Sequence, residues 1–81
     1  MDTIEEFTSK FHEQYIDAET LTLKPESEFR NFGSWDSLTG MAVLVMIKEN
    51  YGVDIPVEIF RELKKVKDVY DYVSSQIEKR K

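Results

Sequence analysis

The residues with the clearest chemical potential lie together at Gly33-Ser34-Trp35-Asp36-Ser37-Leu38, immediately before the chain's longest apolar run. A serine in the first turn of a helix holds its hydroxyl beside unpaired backbone N–H groups and the positive end of the helix dipole, where an attached phosphate is electrostatically favoured. Asp-Ser at a helix start is also ordinary capping chemistry, so the dipeptide alone assigns no role. Little else in the sequence offers chemistry. The 81 residues include no cysteine, which excludes a disulfide framework, a thiolate nucleophile and a thiolate metal site. The one histidine, His12, would have to serve any Ser-His-Asp triad, and a His-rich metal site cannot be built. It falls on the polar side of the first expected helix with no nucleophile near it in sequence, which predicts a solvated surface residue.

Composition narrows the class further. Charged residues make up 33% and hydrophobic residues 41%, the profile of a soluble globular chain, and 81 residues leave room for one domain, 1–81. Eleven Lys and Arg against sixteen Asp and Glu give a net charge of -5, which opposes a nucleic-acid backbone. The acidity is concentrated: residues 1–35 hold eight acids against three bases, and residues 36–81 are neutral. The acidic start does not resemble a signal peptide, and no apolar stretch reaches the roughly 18 residues of a membrane helix. The chain is therefore expected in the cytoplasm, as a monomer without membrane or nucleic-acid partners. A deep catalytic cleft would compete with the core for few apolar residues, which favours binding or carrying over catalysis.

Elements that could position Ser37 are readable from periodicity. Ile4, Phe7, Phe11 and Tyr15 recur at helical spacing and predict a helix over about Thr3 to Asp17, with Thr3 and Glu6 as a capping box. From Ala18 to Trp35 the period fails, giving a long loop that Leu21, Leu23, Phe29, Phe32 and Trp35 can pin to the helices. Asp36 then caps a second helix, Ser37 to Tyr51, closed by Gly52. Pro56 opens a short third helix, Val57 to Leu63, and Val66, Val69, Tyr70, Val73 and Ile77 mark a fourth, Val66 to Lys79. Lys65 is a poor N-cap for that last helix, and Lys79-Arg80-Lys81 suits a solvated C-terminal end.

The second helix carries the most information. Residues 41–47 are apolar without a break, so the helix is apolar on every side. If Val43, Met46, Ile47 and Asn50, together with Tyr51, enter the core, then Leu38, Met41 and Val45, with Leu44 beside them, form an exposed stripe of the kind that marks partner surfaces. Phe29, Phe32 and Trp35 are the loop residues that could cover it instead. Gly40 costs about 1 kcal/mol relative to alanine in a helix interior, which raises the question of a close approach there.

Asp36-Ser37-Leu38, the apolar helix ending in Tyr51-Gly52, then Asp54-Ile55-Pro56, Val66 and Asp71-Tyr72-Val73, resemble the acyl carrier protein family in order and spacing. The resemblance covers about residues 32 to 77. It implies an all-α four-helix bundle with a long first loop and a short third helix. It also implies that the chain is no enzyme: a phosphopantetheinyl transferase would attach 4'-phosphopantetheine from coenzyme A to Ser37. The thiol of that arm would carry acyl or aminoacyl groups as thioesters between loading and processing enzymes. Asp36 matches the family aspartate associated with the transferase and its magnesium ion, with no resident metal site implied. Leu38, Met41, Leu44 and Val45 fall on the partner-facing side, and Val43, Ile47, Phe60 and Leu63 fall where the family lines its acyl pocket, although all four also read as plain core. Thr39, Ala42, Lys48, Val57 and Ile59 stand where the family often carries acids, which implies a specialised carrier with less basic partners. The competing reading is an unmodified helical interaction module that uses the Leu38, Met41 and Val45 stripe.

Overall fold

A computed structural model describes residues 2–79. The described residues form four α-helices: α1 (Ile4–His12), α2 (Ser37–Tyr51), α3 (Val57–Glu62) and α4 (Val66–Lys79), with a short 3-10 turn at Phe29–Asn31 in the long first loop. Helices α1, α2 and α4 pack against one another, and α3 is a six-residue element laid beside them. Arg80 and Lys81 of the expected basic end lie outside the described residues.

α1 begins as expected: the Thr3 hydroxyl accepts the Glu6 N–H at 3.2 Å and donates to the Glu6 carboxylate at 3.1 Å. It ends at His12, five residues earlier than the Asp17 boundary read from periodicity. The Gln14 and Tyr15 N–H groups bond to the carbonyls three residues back, at 3.1 and 3.2 Å, so the chain tightens into turns. Tyr15 still points inward and buries its ring, which is why its spacing mimics one more helical turn. Its hydroxyl donates to the Phe29 carbonyl at 2.5 Å. Burial pushes that phenol well above its ordinary range. His12 is half-buried rather than solvated, because its Nε2–H donates to the Leu21 carbonyl at 2.7 Å and holds the start of the loop against α1.

The loop is ordered by an aromatic seam. Phe29 is fully buried, with its ring centroid 5.1 Å from those of Phe11 and Trp35 and 5.6 Å from that of Phe60. A second seam is made by the backbone: Val66 N–H donates to Ser27 O at 3.1 Å and Lys67 N–H to Pro25 O at 2.8 Å, and Lys65 N–H donates to the Asp68 carboxylate at 2.9 Å. The first N–H groups of α4 are thus satisfied by the loop, so this helix starts without a side-chain N-cap at Lys65. Asp2 fastens the other end. Its carboxylate accepts from Lys10 at 2.5 Å and Tyr51 at 2.9 Å, while its carbonyl accepts from Tyr70 at 2.8 Å.

Candidate functional site

α2 is positioned at both ends by local chemistry. At its start Asp36 is extended, and one carboxylate oxygen accepts both the Thr39 N–H at 2.8 Å and the Thr39 hydroxyl at 3.0 Å. Those bonds, led by the backbone one, hold the Asp36 carboxyl below the usual aspartate range. At its end Gly52 takes the left-handed conformation, φ 68°, and donates to Lys48 O at 2.9 Å.

Ser37 is the first residue of α2 and is exposed. Its hydroxyl has no hydrogen-bond partner among the described residues. Ser34, three positions earlier, is half-buried, and its hydroxyl donates to the Asp17 carboxylate at 2.6 Å. The two serines of the motif therefore differ: one is tied into the fold and the other is presented to solvent.

Apolar surface surrounds Ser37. Leu38 is 75% exposed, Met41 63% and Val45 52%, with Leu44 half-buried beside them. Phe29, Phe32 and Trp35 leave Leu38, Met41 and Val45 exposed: Phe29 is fully buried, Phe32 lies edge-on to Tyr15 at 5.7 Å, and the half-buried Trp35 packs against Phe11 at 6.5 Å while also lining the groove beside Met41 and Leu44. Val43, Met46 and Ile47 are buried on the opposite side, as the helical arrangement requires, whereas Asn50, expected with them, is exposed and its amide donates to the Met46 carbonyl at 2.8 Å. Gly40 has its reason in this packing: a Cβ there would lie 3.3 Å from the Trp35 ring, so the close approach it permits is that of the chain's own tryptophan.

A groove of about 210 Å³ runs from Ser37 toward α3, with Trp35, Gly40, Met41 and Phe60 among its walls and both Arg30 and Arg61 contributing to them. Of the four residues placed at the acyl pocket by resemblance, Val43 and Ile47 are fully buried, Phe60 is 6% exposed and Leu63 is half-buried, and all four pack in the core. Phe60 is the one that also lines the groove.

Arg30, which the sequence did not single out, holds this region together. Its guanidinium donates to the carbonyls of Phe60 and Leu63 at the end of α3 and stacks over the rings of Phe29 and Phe60, at 4.7 and 5.0 Å from their centroids. Nothing in the local pattern around Arg30 predicts this, because its partners lie 30 and 33 residues away.

Comparison with known proteins places this geometry in context. The family profile described as "Phosphopantetheine attachment site" matches residues 13–73. An acyl carrier protein of Helicobacter hepaticus is 32% identical over 75 residues, covering 93% of this chain and 97% of that protein. One from Thermosynechococcus vestitus is 34% identical over 53 residues, 65% of each chain. The solution NMR structure of the holo acyl carrier protein from Geobacter metallireducens superposes with a TM-score of 0.78 at 25% identity, over 99% of this chain and 91% of that one. The chain belongs to the acyl carrier protein family, whose members are not enzymes but carriers bearing a covalently attached 4'-phosphopantetheine.

Proposed function

We propose that Ser37 is the attachment serine and that this single domain presents acyl or aminoacyl thioesters to a succession of enzymes. The observation that carries the assignment is the contrast between the exposed, unpartnered Ser37 hydroxyl and the Ser34 hydroxyl committed to Asp17. The residues present fit the group. The α2 N-terminus favours a phosphodiester at its first residue, and Arg30 and Arg61 line the adjoining groove. Ser37 Oγ would be the nucleophile, displacing adenosine 3',5'-bisphosphate from coenzyme A and releasing its hydroxyl proton as the new O–P bond forms. When bound, the arm supplies the thiol that this cysteine-free chain lacks. Asp36 holds the start of α2 rigid through Thr39 and keeps a carboxylate beside Ser37 for the transferase and its magnesium.

Leu38, Met41, Leu44 and Val45 form the partner face in this reading, supported by the exposure of the first two and of Val45. Val43, Ile47, Phe60 and Leu63 are the interior residues that a cargo chain would meet if α3 moved outward, with Phe60 at the entrance. A specialised rather than fatty-acid-housekeeping role is supported by the charge pattern. Thr39 is buried and bonded to Asp36, Val57 is 52% exposed, and Lys48 pairs with Asp54 at 2.7 Å, so these three positions present no acid, and Glu49 beside Val45 is the single acid within α2. A cytoplasmic monomer suits this role, because coenzyme A must be at hand and the apolar stripe must stay open to enzymes. No helix among the described residues is long and apolar enough to cross a membrane.

The test is functional transfer with two variants. Ser37→Ala should abolish loading by a phosphopantetheinyl transferase and all downstream acylation, whereas Ser34→Ala should still load. A Ser37→Ala chain that keeps its partners and its activity would instead identify an unmodified interaction module.

A further inference from the structure

The most exposed large hydrophobic side chain of the described residues is Ile16, at 91%, in the turns that follow α1. It is not isolated. Ile16 and Glu13 share a groove of about 420 Å³ with Asp36 and Leu38, so this apolar residue and its acidic neighbour lie directly across from the start of α2. Leu38 is itself 75% exposed, which makes the apolar surface continuous in kind on both sides of that groove. The side chains of Ile16 and Glu13 have no hydrogen bond or ion pair among the described residues, so packing does not explain their types. Acid collects at this groove: the excess negative charge of the chain lies in residues 1–35, of which Glu13 lines the groove and Asp17 is exposed next to Ile16, and Asp36 is exposed on the facing side.

The geometry points to a second docking surface, Glu13 and Ile16 with Asp36 and Leu38, that receives the phosphopantetheinyl transferase through an apolar contact rimmed by basic residues. The inference rests on Ser37 being the attachment serine. Its physical basis is reach. Enzymes that act on a loaded carrier meet the end of a long arm and can dock at a distance, but the transferase must bring its active site to the Ser37 oxygen itself. Whatever approaches that oxygen must cover the surface flanking Asp36, which on one side is α2 and α3 and on the other is Ile16 and Glu13. Charge at such a rim mainly sets the association rate and its salt dependence, and the apolar centre sets affinity.

The experiment uses the full apo chain, a broad-specificity phosphopantetheinyl transferase, coenzyme A and magnesium, with the rate of mass gain on Ser37 as the readout. Ile16→Asp should lower kcat/KM by about tenfold, and Glu13→Lys by about threefold or more at about 25 mM salt with most of that loss gone at about 250 mM. Glu78→Lys, the same charge change near the end of α4, should stay within about twofold of the parent chain. Both substituted side chains at the surface are exposed, and unchanged circular dichroism and melting establish that folding is intact. Parental rates for both Ile16→Asp and Glu13→Lys would overturn the docking surface while leaving the Ser37 assignment standing. No mass gain on Ser37 in the parent chain would overturn that assignment, and the docking surface with it.

Discussion

Asp36 accepts two hydrogen bonds from Thr39 in its charged form, so folding lowers its pKa. An unfolded aspartate titrates near about 3.9. Because the folded value is lower, the stabilisation is complete above the unfolded value and is lost as pH falls through the folded one. Asp36→Asn retains a good cap but no titrating group, so its melting temperature should fall less steeply than the parent's between about pH 5 and about pH 2. Identical pH profiles would contradict this account of the cap. Arg30 allows a larger effect, since it satisfies two carbonyls and stacks on two rings. Arg30→Met keeps an apolar stem but leaves Phe60 O and Leu63 O without their charged donor, and should cost about 1.5–3 kcal/mol in urea unfolding. Tyr15→Phe removes the buried bond to Phe29 O and should cost about 1 kcal/mol by the same measurement.

At the scale of the elements, α2 must keep its exposed stripe free of any structural duty. Met41→Glu, 63% exposed in the parent, should change stability by no more than about 0.5 kcal/mol while weakening transfer to partner enzymes. A large loss of stability would mean that the stripe is covered. α3 has the opposite character: of its six residues only Phe60 is buried, and its end is held by Arg30. Amide exchange in residues 53–65 should therefore be faster than in α2, and equal protection would count against an α3 that moves to admit cargo. The legibility of these elements followed their chemistry. Thr3, Asp36, Gly52 and Pro56 mark helix ends with local signals, and they stood where the sequence placed them. The end of α1 was obscured because Tyr15 buries its ring from a turn, at helical spacing. α4 starts at Val66 as its apolar spacing predicts, but without a cap signal at Lys65, because its first N–H groups bond to Ser27 and Pro25, some forty residues earlier. At the candidate site, Asp36, Ser37 and the stripe were readable from one helix, whereas the exposure of Ile16, the bonded state of Ser34 and the Arg30 clamp each depend on contacts across the fold.

The whole molecule divides its labour by charge and by polarity. An aromatic seam from Phe11 and Tyr15 through Phe29 and Trp35 to Phe60 binds the loop to the helices, which leaves the outer side of α2 open around one exposed serine. Two acids of residues 1–35, Glu13 and Asp17, are exposed near the start of α2, while the groove from Ser37 toward α3 has arginine in its walls. Such a molecule is built to be handled by other proteins, and its chemistry depends on a group it must first receive. The most direct measurement is intact mass spectrometry of the apo chain after incubation with transferase, magnesium and coenzyme A, followed by peptide mapping that separates Ser34 from Ser37. The expected result is a gain of one phosphopantetheine, located on Ser37. A gain located on Ser34, or none with several transferases, would contradict it.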